Sequence, residues 1–334
     1  RDAVNAAGLD PANILLSATH THTSMVLPEG KYPQPDGDVM TPTECTKHFV
    51  RVVAAAVTAA WECRAPGGFS QAYAQAVVGR NRRAAFLNGA ARMYADTAVA
   101  DFAGVEGYED HGVHLLFTWD EQQELTGAIV NLACPSQETE HERFLSADFW
   151  HEARLEIRSV LGRDIPILAQ CAPAGDQSPH LLFHQDLEQR MRDRRGISSR
   201  QEIARRLGHA AADGFDGAAA AIQWDARLQH RQEVLALPRR LVTEAERDQA
   251  EAEIKALQSD TAGDPMRNAS FIRRNQEVLK RYDEQQSQPN HEIELHVVRL
   301  GEVAFATNPF ELFLDFGIRI KARSPAVQCF LTQI

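Results

Sequence analysis

Short apolar runs with the pattern of β-strands recur along the chain, and several end directly before a chemically reactive side chain. The runs cover residues 13–19, 127–133, 165–170 and 303–307, and the reactive residues after them are His20, Cys134, Ser178 and Glu311. In open α/β sheets the carboxyl ends of the strands open onto a crevice where active sites form. The sequence therefore predicts that these residues assemble into one site.

Helix signals alternate with these runs. Capping boxes at Thr41, Ser199 and Thr243 each begin an amphipathic stretch. The pattern predicts helices over 42–64, 146–161, 199–222, 243–258 and 311–323, strands near 69–78 and 113–119, and a hairpin of 291–299 with 302–307. This alternation predicts an α/β fold of mixed sheets flanked by helices. We expect a single catalytic domain over residues 1–334, cut at both ends, with a polar helical region at about 185–287.

Composition and charge narrow the class of protein. The 334 residues are 44% hydrophobic, enough for a large core, and the net charge of −11 argues against a nucleic-acid surface. No stretch is long and apolar enough to span a membrane, so we expect the chain as given to be soluble, with peripheral membrane contact left open. Five cysteines without a C-x-x-C pair leave the compartment undetermined. Neither the oligomeric state nor the localisation follows from the sequence.

The segment His20-Thr21-His22 is the sharpest local signal. In an extended segment, residues i and i+2 project to the same face, so both imidazoles could line one cavity. One histidine could then bind a metal while the other served as acid or base. Spacing alone leaves a second interpretation equally open, in which both are hydrogen-bonded loop histidines.

Each of the other candidates also has a structural alternative. Cys134 is either a metal ligand or a small buried apolar residue. Glu311 is either a ligand or a charge complement at a helix start. Ser178 either reacts or caps a turn, and Arg82 is either a substrate clamp or a solvated arginine.

Taken in order, these segments resemble a known family. Ser17-Ala-Thr-His-Thr-His22 resembles the A-T-H-T-H-S-G-P signature of the neutral, non-lysosomal ceramidases, zinc amidases that cleave N-acylsphingosines. Further similar segments follow in the same order as in that family: Asn81-Arg82 with 85–88, Cys134-Pro135 through Asp148, 175–179, and Pro309-Phe-Glu311. The resemblance therefore covers residues 17 to about 320.

The resemblance implies a zinc site. His20 and Glu311 would bind the metal, and Cys134 would occupy the position of the family's second histidine ligand. A tyrosine that completes the family's site would fall beyond residue 334. A thiolate adds negative charge where the family has a neutral imidazole, which makes the metal a weaker Lewis acid.

The resemblance also implies the roles of the catalytic residues. His22 and Arg82 would contact the substrate carbonyl or an oxyanion, and Ser178 would act as the nucleophile or orient the attacking water. Residues 23–26 replace the family's S-G-P-G beside the histidines, which changes the wall of the cavity.

Three hypotheses for function follow. The first is a zinc-dependent hydrolase that cleaves an amide or related acyl bond of a small-molecule or lipid-like substrate by metal-activated water. The second is a metal-dependent hydrolase or lyase that acts on a polar, sugar-like substrate. The third is a non-catalytic binding protein with a degenerate site. A pocket lined by acids, amides and arginines would favour the second hypothesis, and a long apolar groove would favour a lipid amidase.

Overall fold

The computed structural model describes residues 4, 8–34 and 36–333, which form a mixed α/β fold. The helices are α1 (Pro42–Glu62), α2 (Trp150–Leu161), α3 (Gln185–Arg195), α4 (Ser199–Ala219), α5 (Glu244–Ser259), α6 (Pro265–Glu284) and α7 (Leu314–Arg323). The strands are β1 (Gly67–Gln75), β2 (Arg80–Asn81), β3 (Arg83–Phe86), β4 (Ala91–Met93), β5 (Phe102–Val105), β6 (Gly112–Asp120), β7 (Leu125–Leu132), β8 (Ile167–Cys171), β9 (Gln177–Ser178), β10 (Leu228–Pro238), β11 (Asn290–Leu300), β12 (Val303–Asn308) and β13 (Gln328–Gln333). The predicted fold class, mixed sheets flanked by helices, is confirmed.

The chain divides into two compact units. The smaller unit comprises residues 1–12, 25–63 and 233–294, and the larger unit comprises residues 13–24, 64–232 and 295–334. Every candidate site residue lies in the larger unit.

The smaller unit contains α1, α5 and α6. Thr41 and Thr243 form capping boxes at the starts of α1 and α5, as predicted. Between α5 and α6, the Asn275 side-chain amide donates to a carboxylate oxygen of Glu253 at 3.0 Å. Described residues of this unit carry none of the predicted chemistry.

The larger unit is built on a sheet with strand order β1-β6-β7-β8. β1, β6 and β7 run antiparallel, and β8 joins parallel to β7. Along β6, Leu115 and Phe117 pack in one apolar cluster with residues of α2 and α4, whereas Leu116 packs with Phe330 and Val303 of β13 and β12. Because side chains alternate between the faces of a strand, one face of the sheet is covered by helices and the other by strands. The sheet is therefore buried on both faces.

A second sheet has the order β10-β11-β12-β13, with β12 antiparallel to β11 and parallel to β13. The strands β7, β8 and β12 end at Leu132, Cys171 and Asn308. The segments that carry Cys134, Ser178 and Glu311 follow these ends, as predicted.

A short antiparallel pair, β2 with β9, brings two distant segments together. Arg80 pairs with Ser178 and Asn81 pairs with Gln177. The backbone N–H of Arg82 then donates to the Asp176 carbonyl at 2.9 Å. Arg82 is thereby placed beside the loop after β8.

Several sequence predictions for elements are wrong. Residues 13–19 do not form a strand: Pro11–Asn13 is a 3-10 turn, the residues after it are irregular, and Leu15 and Leu16 are exposed. The strand β10 lies inside the region predicted to be helical. The cap of α4 is Ser198 with Gln201, one residue earlier than predicted.

None of the described helices combines the length and apolar character that a membrane crossing requires.

Candidate functional site

Hydrogen bonds to the loop after β7, and no pairing with a described strand, position the histidine segment. The backbone N–H of His22 donates to the Ser136 carbonyl at 3.1 Å, and the Ser136 hydroxyl donates to the Thr19 carbonyl at 2.6 Å. The hydroxyls of Thr23 and Ser146 lie 2.7 Å apart. These contacts fix residues 19–23, so the histidines are positioned by long-range hydrogen bonds.

His20 adopts an unusual backbone conformation with its side chain partly buried. Its φ is +60°, a left-handed value that few residues other than glycine adopt. Its ring stacks on that of His22 with 5.2 Å between centroids. Burial lowers the pKa of His20, and the nearby Glu311 carboxylate opposes this shift only in part. The imidazole is therefore neutral at pH 7, and its Nδ1 makes no hydrogen bond to any described residue.

Arg82 is the centre of the hydrogen-bond network. Its guanidinium is almost completely buried, with 7% of the residue exposed. Nη2 donates to the Gly175 carbonyl at 2.8 Å and to Glu311 Oε1 at 3.0 Å. Nη1 donates to the Tyr94 hydroxyl at 3.2 Å and to Gln137 Oε1 at 3.3 Å. The candidate Arg82 is therefore a buried charge bridging four segments, and it is not a solvated arginine.

Glu311 is positioned by the loop after β8. The Gly175 N–H donates to the Leu312 carbonyl at 2.8 Å, and a Cβ atom on Gly175 would lie 2.6 Å from the Glu311 carbonyl oxygen. Only glycine permits this approach. The Asp176 carboxylate accepts the backbone N–H of Leu314 at 2.8 Å, which anchors the start of α7. α7 begins three residues after Glu311, later than predicted.

Ser178 is completely buried, and its hydroxyl is engaged on two sides. Ser178 Oγ accepts a hydrogen bond from the Tyr94 hydroxyl at 3.1 Å and from the His180 N–H at 3.0 Å. The Tyr94 hydroxyl in turn accepts from Arg82 and from the Gln137 amide. Tyr94 is 44% exposed, so part of its side chain reaches solvent while its hydroxyl contacts buried partners. Sequence reasoning missed Tyr94, because no motif or periodicity marks it.

Glu140 bridges two imidazoles and was also missed. Its Oε2 lies 3.0 Å from His22 Nδ1, and its Oε1 lies 3.2 Å from His180 Nε2. Burial opposes ionisation of Glu140, but hydrogen bonds from His180 and His22 hold its pKa well below the ordinary range. The hydrogen bond to Glu140 raises the pKa of His180. Glu140 lies in the 134–148 segment of the resemblance, but its position alone gave no signal.

Cys134 lies in the apolar core. It is 1% exposed and belongs to the cluster that contains Leu132 and Val78. Its thiol contacts the carbonyl oxygen of the next residue, Pro135, at 3.4 Å. Burial raises the pKa of the Cys134 thiol well above its usual value. Without a metal ion the side chain is therefore a neutral thiol among apolar neighbours.

The predicted zinc ligands do not form a matching donor set. Among the residues that the structure describes, no three His, Cys, Asp or Glu side chains are grouped so that they could hold a metal ion. His20 and Glu311 interact electrostatically, but the Arg82 guanidinium occupies one oxygen of that carboxylate. The Cys134 side chain packs in the apolar core, so the described side chains are not arranged to hold a divalent cation. The set His20, Cys134 and Glu311 stays a prediction from the resemblance.

A cavity of about 680 Å³ adjoins the network and shares Tyr94, Glu140 and His180 with it. The remaining wall is mostly charged or polar. It includes Arg80, Arg192 and Arg206, the acids Glu138, Asp186, Glu188 and Glu202, and the amides Gln185 and Gln189. Its apolar part is the smaller share of the wall and consists of Val78, Ala95, Pro179, Leu181, Leu182 and Ile203. The cavity therefore suits a polar ligand.

Comparisons with known proteins identify the fold. No protein-family model and no curated protein sequence matches the chain. Among solved structures, the neutral ceramidase from Pseudomonas aeruginosa is similar over 87% of this chain and 48% of its own, with 16% identity and a TM-score of 0.53. A ceramidase complexed with C2 is similar over 99% of this chain and 57% of its own, with 16% identity and a TM-score of 0.61. The chain spans about half the length of these proteins and has a ceramidase-like fold.

Proposed function

We propose that this protein is a hydrolase that cleaves an amide or related acyl bond, and that the reaction takes place at Arg82, Tyr94, His22 and Glu311. The observation that carries the proposal is the buried Arg82 guanidinium, which joins the Glu311 carboxylate to the hydroxyl of Tyr94, a residue that lines a cavity. A buried cation that is hydrogen-bonded to a hydroxyl on a cavity wall can stabilise negative charge that develops at that hydroxyl. The ceramidase-like fold supports the same reaction class.

Each side chain has a proposed role. The Tyr94 hydroxyl, on the cavity wall, would turn its proton from Ser178 to the substrate carbonyl oxygen as that oxygen gains negative charge, and the Arg82 guanidinium, held by Glu311, would support that charge electrostatically. His22, with a third of its side chain exposed, would accept a proton from the attacking water and return it to the leaving amine. Ser178 is fully buried, which supports a role in orienting the Tyr94 hydroxyl over direct attack on the substrate.

The proposal assigns no step to zinc. In the resemblance, zinc on His20, Cys134 and Glu311 would polarise the carbonyl and activate water. The Cys134 side chain packs in the apolar core and the Glu311 carboxylate pairs with Arg82, so these side chains are not arranged as ligands. The roles above therefore rest on side chains alone.

The cavity favours a second candidate, in which the same chemistry acts on a polar, sugar-like substrate. A long acyl chain in this cavity would remove water from arginine and carboxylate groups without replacing their hydrogen bonds. A hydroxyl-rich substrate would satisfy the same groups. In this candidate the protein is still a hydrolase, and only the part of the substrate that carries the amide or acyl bond is different.

A paired assay of amine release tests both candidates. The two probes are an N-acetylated hexosamine and a short-chain N-acylsphingosine in detergent, each with wild-type protein and with Arg82→Lys. We expect cleavage of at least one probe and a loss of about 100-fold in Arg82→Lys, because lysine cannot bridge Tyr94 and Glu311 together. The matched control is Arg92→Lys, an arginine exposed on β4. Equal background rates for both probes in all three proteins would favour the non-catalytic binding protein.

A further inference from the structure

The two oxygens of Glu140 lie close to the imidazoles of His22 and His180, with the exposed His141 farther away at 3.9 Å, and the two close contacts constrain where the protons lie. Oε2 lies 3.0 Å from His22 Nδ1, and Oε1 lies 3.2 Å from His180 Nε2. The Gln137 side-chain amide also donates to Oε2 at 3.3 Å. An ionised carboxylate only accepts hydrogen bonds, so each facing ring nitrogen has to carry a proton.

His180 is locked in place independently of Glu140. Its Nε2 lies 2.8 Å from the backbone carbonyl oxygen of Gln137, which is also an acceptor. Its backbone N–H donates to Ser178 Oγ at 3.0 Å, and its Nδ1 lies 3.8 Å from Glu138. The Nε2–H of His180 is therefore held between the Gln137 carbonyl and Glu140 Oε1, and this fixed ring contacts the carboxylate from one side.

Glu140 in turn determines which ring nitrogen of His22 carries the proton. With the proton of a neutral His22 held on Nδ1, the other ring nitrogen, Nε2, keeps its lone pair. A histidine with this tautomer, oriented by a carboxylate, is the form that accepts a proton from a hydroxyl or from water. The stacking of His22 on His20, with 5.2 Å between ring centroids, restricts rotation of the ring away from this orientation.

We propose that Glu140 is a positioning residue that fixes His22 as the Nδ1–H tautomer, and that His180 holds Glu140 for this task. The tautomer itself follows from the contacts above. Its use, with Nε2 of His22 as the general base, rests on the proposed hydrolase function. Glu140 contacts His22 and does not contact the predicted reacting groups Arg82 or Glu311 through any hydrogen bond among the described residues.

Nitrogen NMR of the full chain labelled with ¹⁵N-histidine tests the tautomer without a substrate. At pH 8, above the ordinary histidine pKa of about 6.5, long-range ¹H–¹⁵N correlations distinguish a protonated from an unprotonated ring nitrogen. The His22 signals are identified by their loss in His22→Gln. We expect Nδ1 of His22 to be protonated in the wild type, with a shift towards the Nε2–H form in Glu140→Ala. The matched control, Glu142→Ala, changes an exposed carboxylate two residues away and should leave the wild-type pattern.

The wild-type spectrum decides the proposal even if Glu140→Ala does not fold, because an unprotonated His22 Nδ1 in the wild type would overturn it. Glu140→Gln keeps an acceptor oxygen and should retain the Nδ1–H form. On any amide that the protein cleaves, Glu140→Ala should lower kcat by about 100-fold with KM nearly unchanged. A confirmed tautomer without amide cleavage would reject the hydrolase alone, and cleavage with the opposite tautomer would reject the positioning role alone.

Discussion

The Tyr94 hydroxyl donates a hydrogen bond to Ser178 Oγ over 3.1 Å, joining a half-exposed ring to a completely buried side chain. Tyr94 belongs to the segment after β4, and Ser178 ends β9. The same hydroxyl accepts from Arg82 at 3.2 Å. One tyrosine oxygen therefore links the buried loop after β8 to the cationic centre of the site.

Removal of the Tyr94 hydroxyl should destabilise the protein measurably. Tyr94→Phe leaves donors of Arg82 and Gln137 without their acceptor in a largely buried place, which costs about 1 to 3 kcal/mol. Urea denaturation followed by circular dichroism measures the change. Tyr73→Phe is the matched control, because Tyr73 is 55% exposed on β1. Equal midpoints for the two variants would show that the Tyr94 network contributes nothing to stability.

Two glycine substitutions should have opposite effects. In Gly175→Ala the new Cβ would lie 2.6 Å from the Glu311 carbonyl oxygen, and we expect a loss of about 1 to 3 kcal/mol as the segment around Glu311 moves away. In Gly217→Ala, on an exposed face of α4, the new Cβ meets nothing within 4 Å. This change should stabilise the helix by about 0.5 to 1 kcal/mol. Thermal unfolding of both variants measures the signs, and a stabilised Gly175→Ala would contradict the close packing described here.

Substitution of Cys134 distinguishes between two interpretations of this residue, a core side chain and a metal ligand. Because Cys134 is a buried neutral thiol, Cys134→Ala should lower stability by about 1 kcal/mol through lost packing and leave the zinc content unchanged. Zinc is measured by mass spectrometry after gentle purification, with the exposed Cys63→Ala as the control. Stoichiometric zinc in the wild type that disappears in Cys134→Ala alone would instead establish the ligand implied by the resemblance.

Glu202 should make stability depend on pH. It is 4% exposed, and hydrogen bonds from Arg205 and Arg206 lower its pKa from 4.5 to about 2. A carboxyl whose pKa is depressed in the folded state stabilises that state above pH 4.5, and the contribution is lost as the pH falls from about 4.5 to about 2. We expect Glu202→Gln to be about 1 to 2 kcal/mol less stable at pH 7, since partial exposure of the arginines weakens the interaction.

The measurement is denaturant unfolding of Glu202→Gln and wild type at pH 7 and at pH 3. The difference between the two proteins should shrink at the lower pH. Asp213→Asn, an exposed position of the same helix, should show no such change. A difference that is constant with pH would mean that the ion pairs of Glu202 do not stabilise the fold.

The strands that end before Cys134, Ser178 and Glu311 could be predicted, because a strand buried in a sheet leaves a continuous apolar run in the sequence. Residues 13–19 have the same apolar character but remain irregular. Ser136 contacts the end of this segment: its hydroxyl donates to the Thr19 carbonyl, and its carbonyl accepts from the His22 N–H. A run of apolar residues does not reveal whether a pairing partner exists. The capping boxes of α1 and α5 could be predicted, because each is complete within four consecutive residues and needs no distant partner.

Arg82 could be named from the sequence, but its environment could not. Its partners Tyr94, Gln137 and Glu311 are brought together by tertiary folding over separations of up to 229 residues. The contact between Glu140 and His180 likewise depends on tertiary folding, because His180 lies in another loop. The protonation of Cys134 depends on burial in the assembled core, which local composition does not report.

The most direct test of the proposed site is the rate of amine release from an amide probe by wild type, Arg82→Lys, Tyr94→Phe and the double variant. If Arg82 and Tyr94 act on the same developing charge, each single variant should lose about 100-fold in kcat/KM, and the double variant should lose little more than either alone. Amide cleavage at the wild-type rate by the double variant would contradict the account, because the reaction would then take place elsewhere.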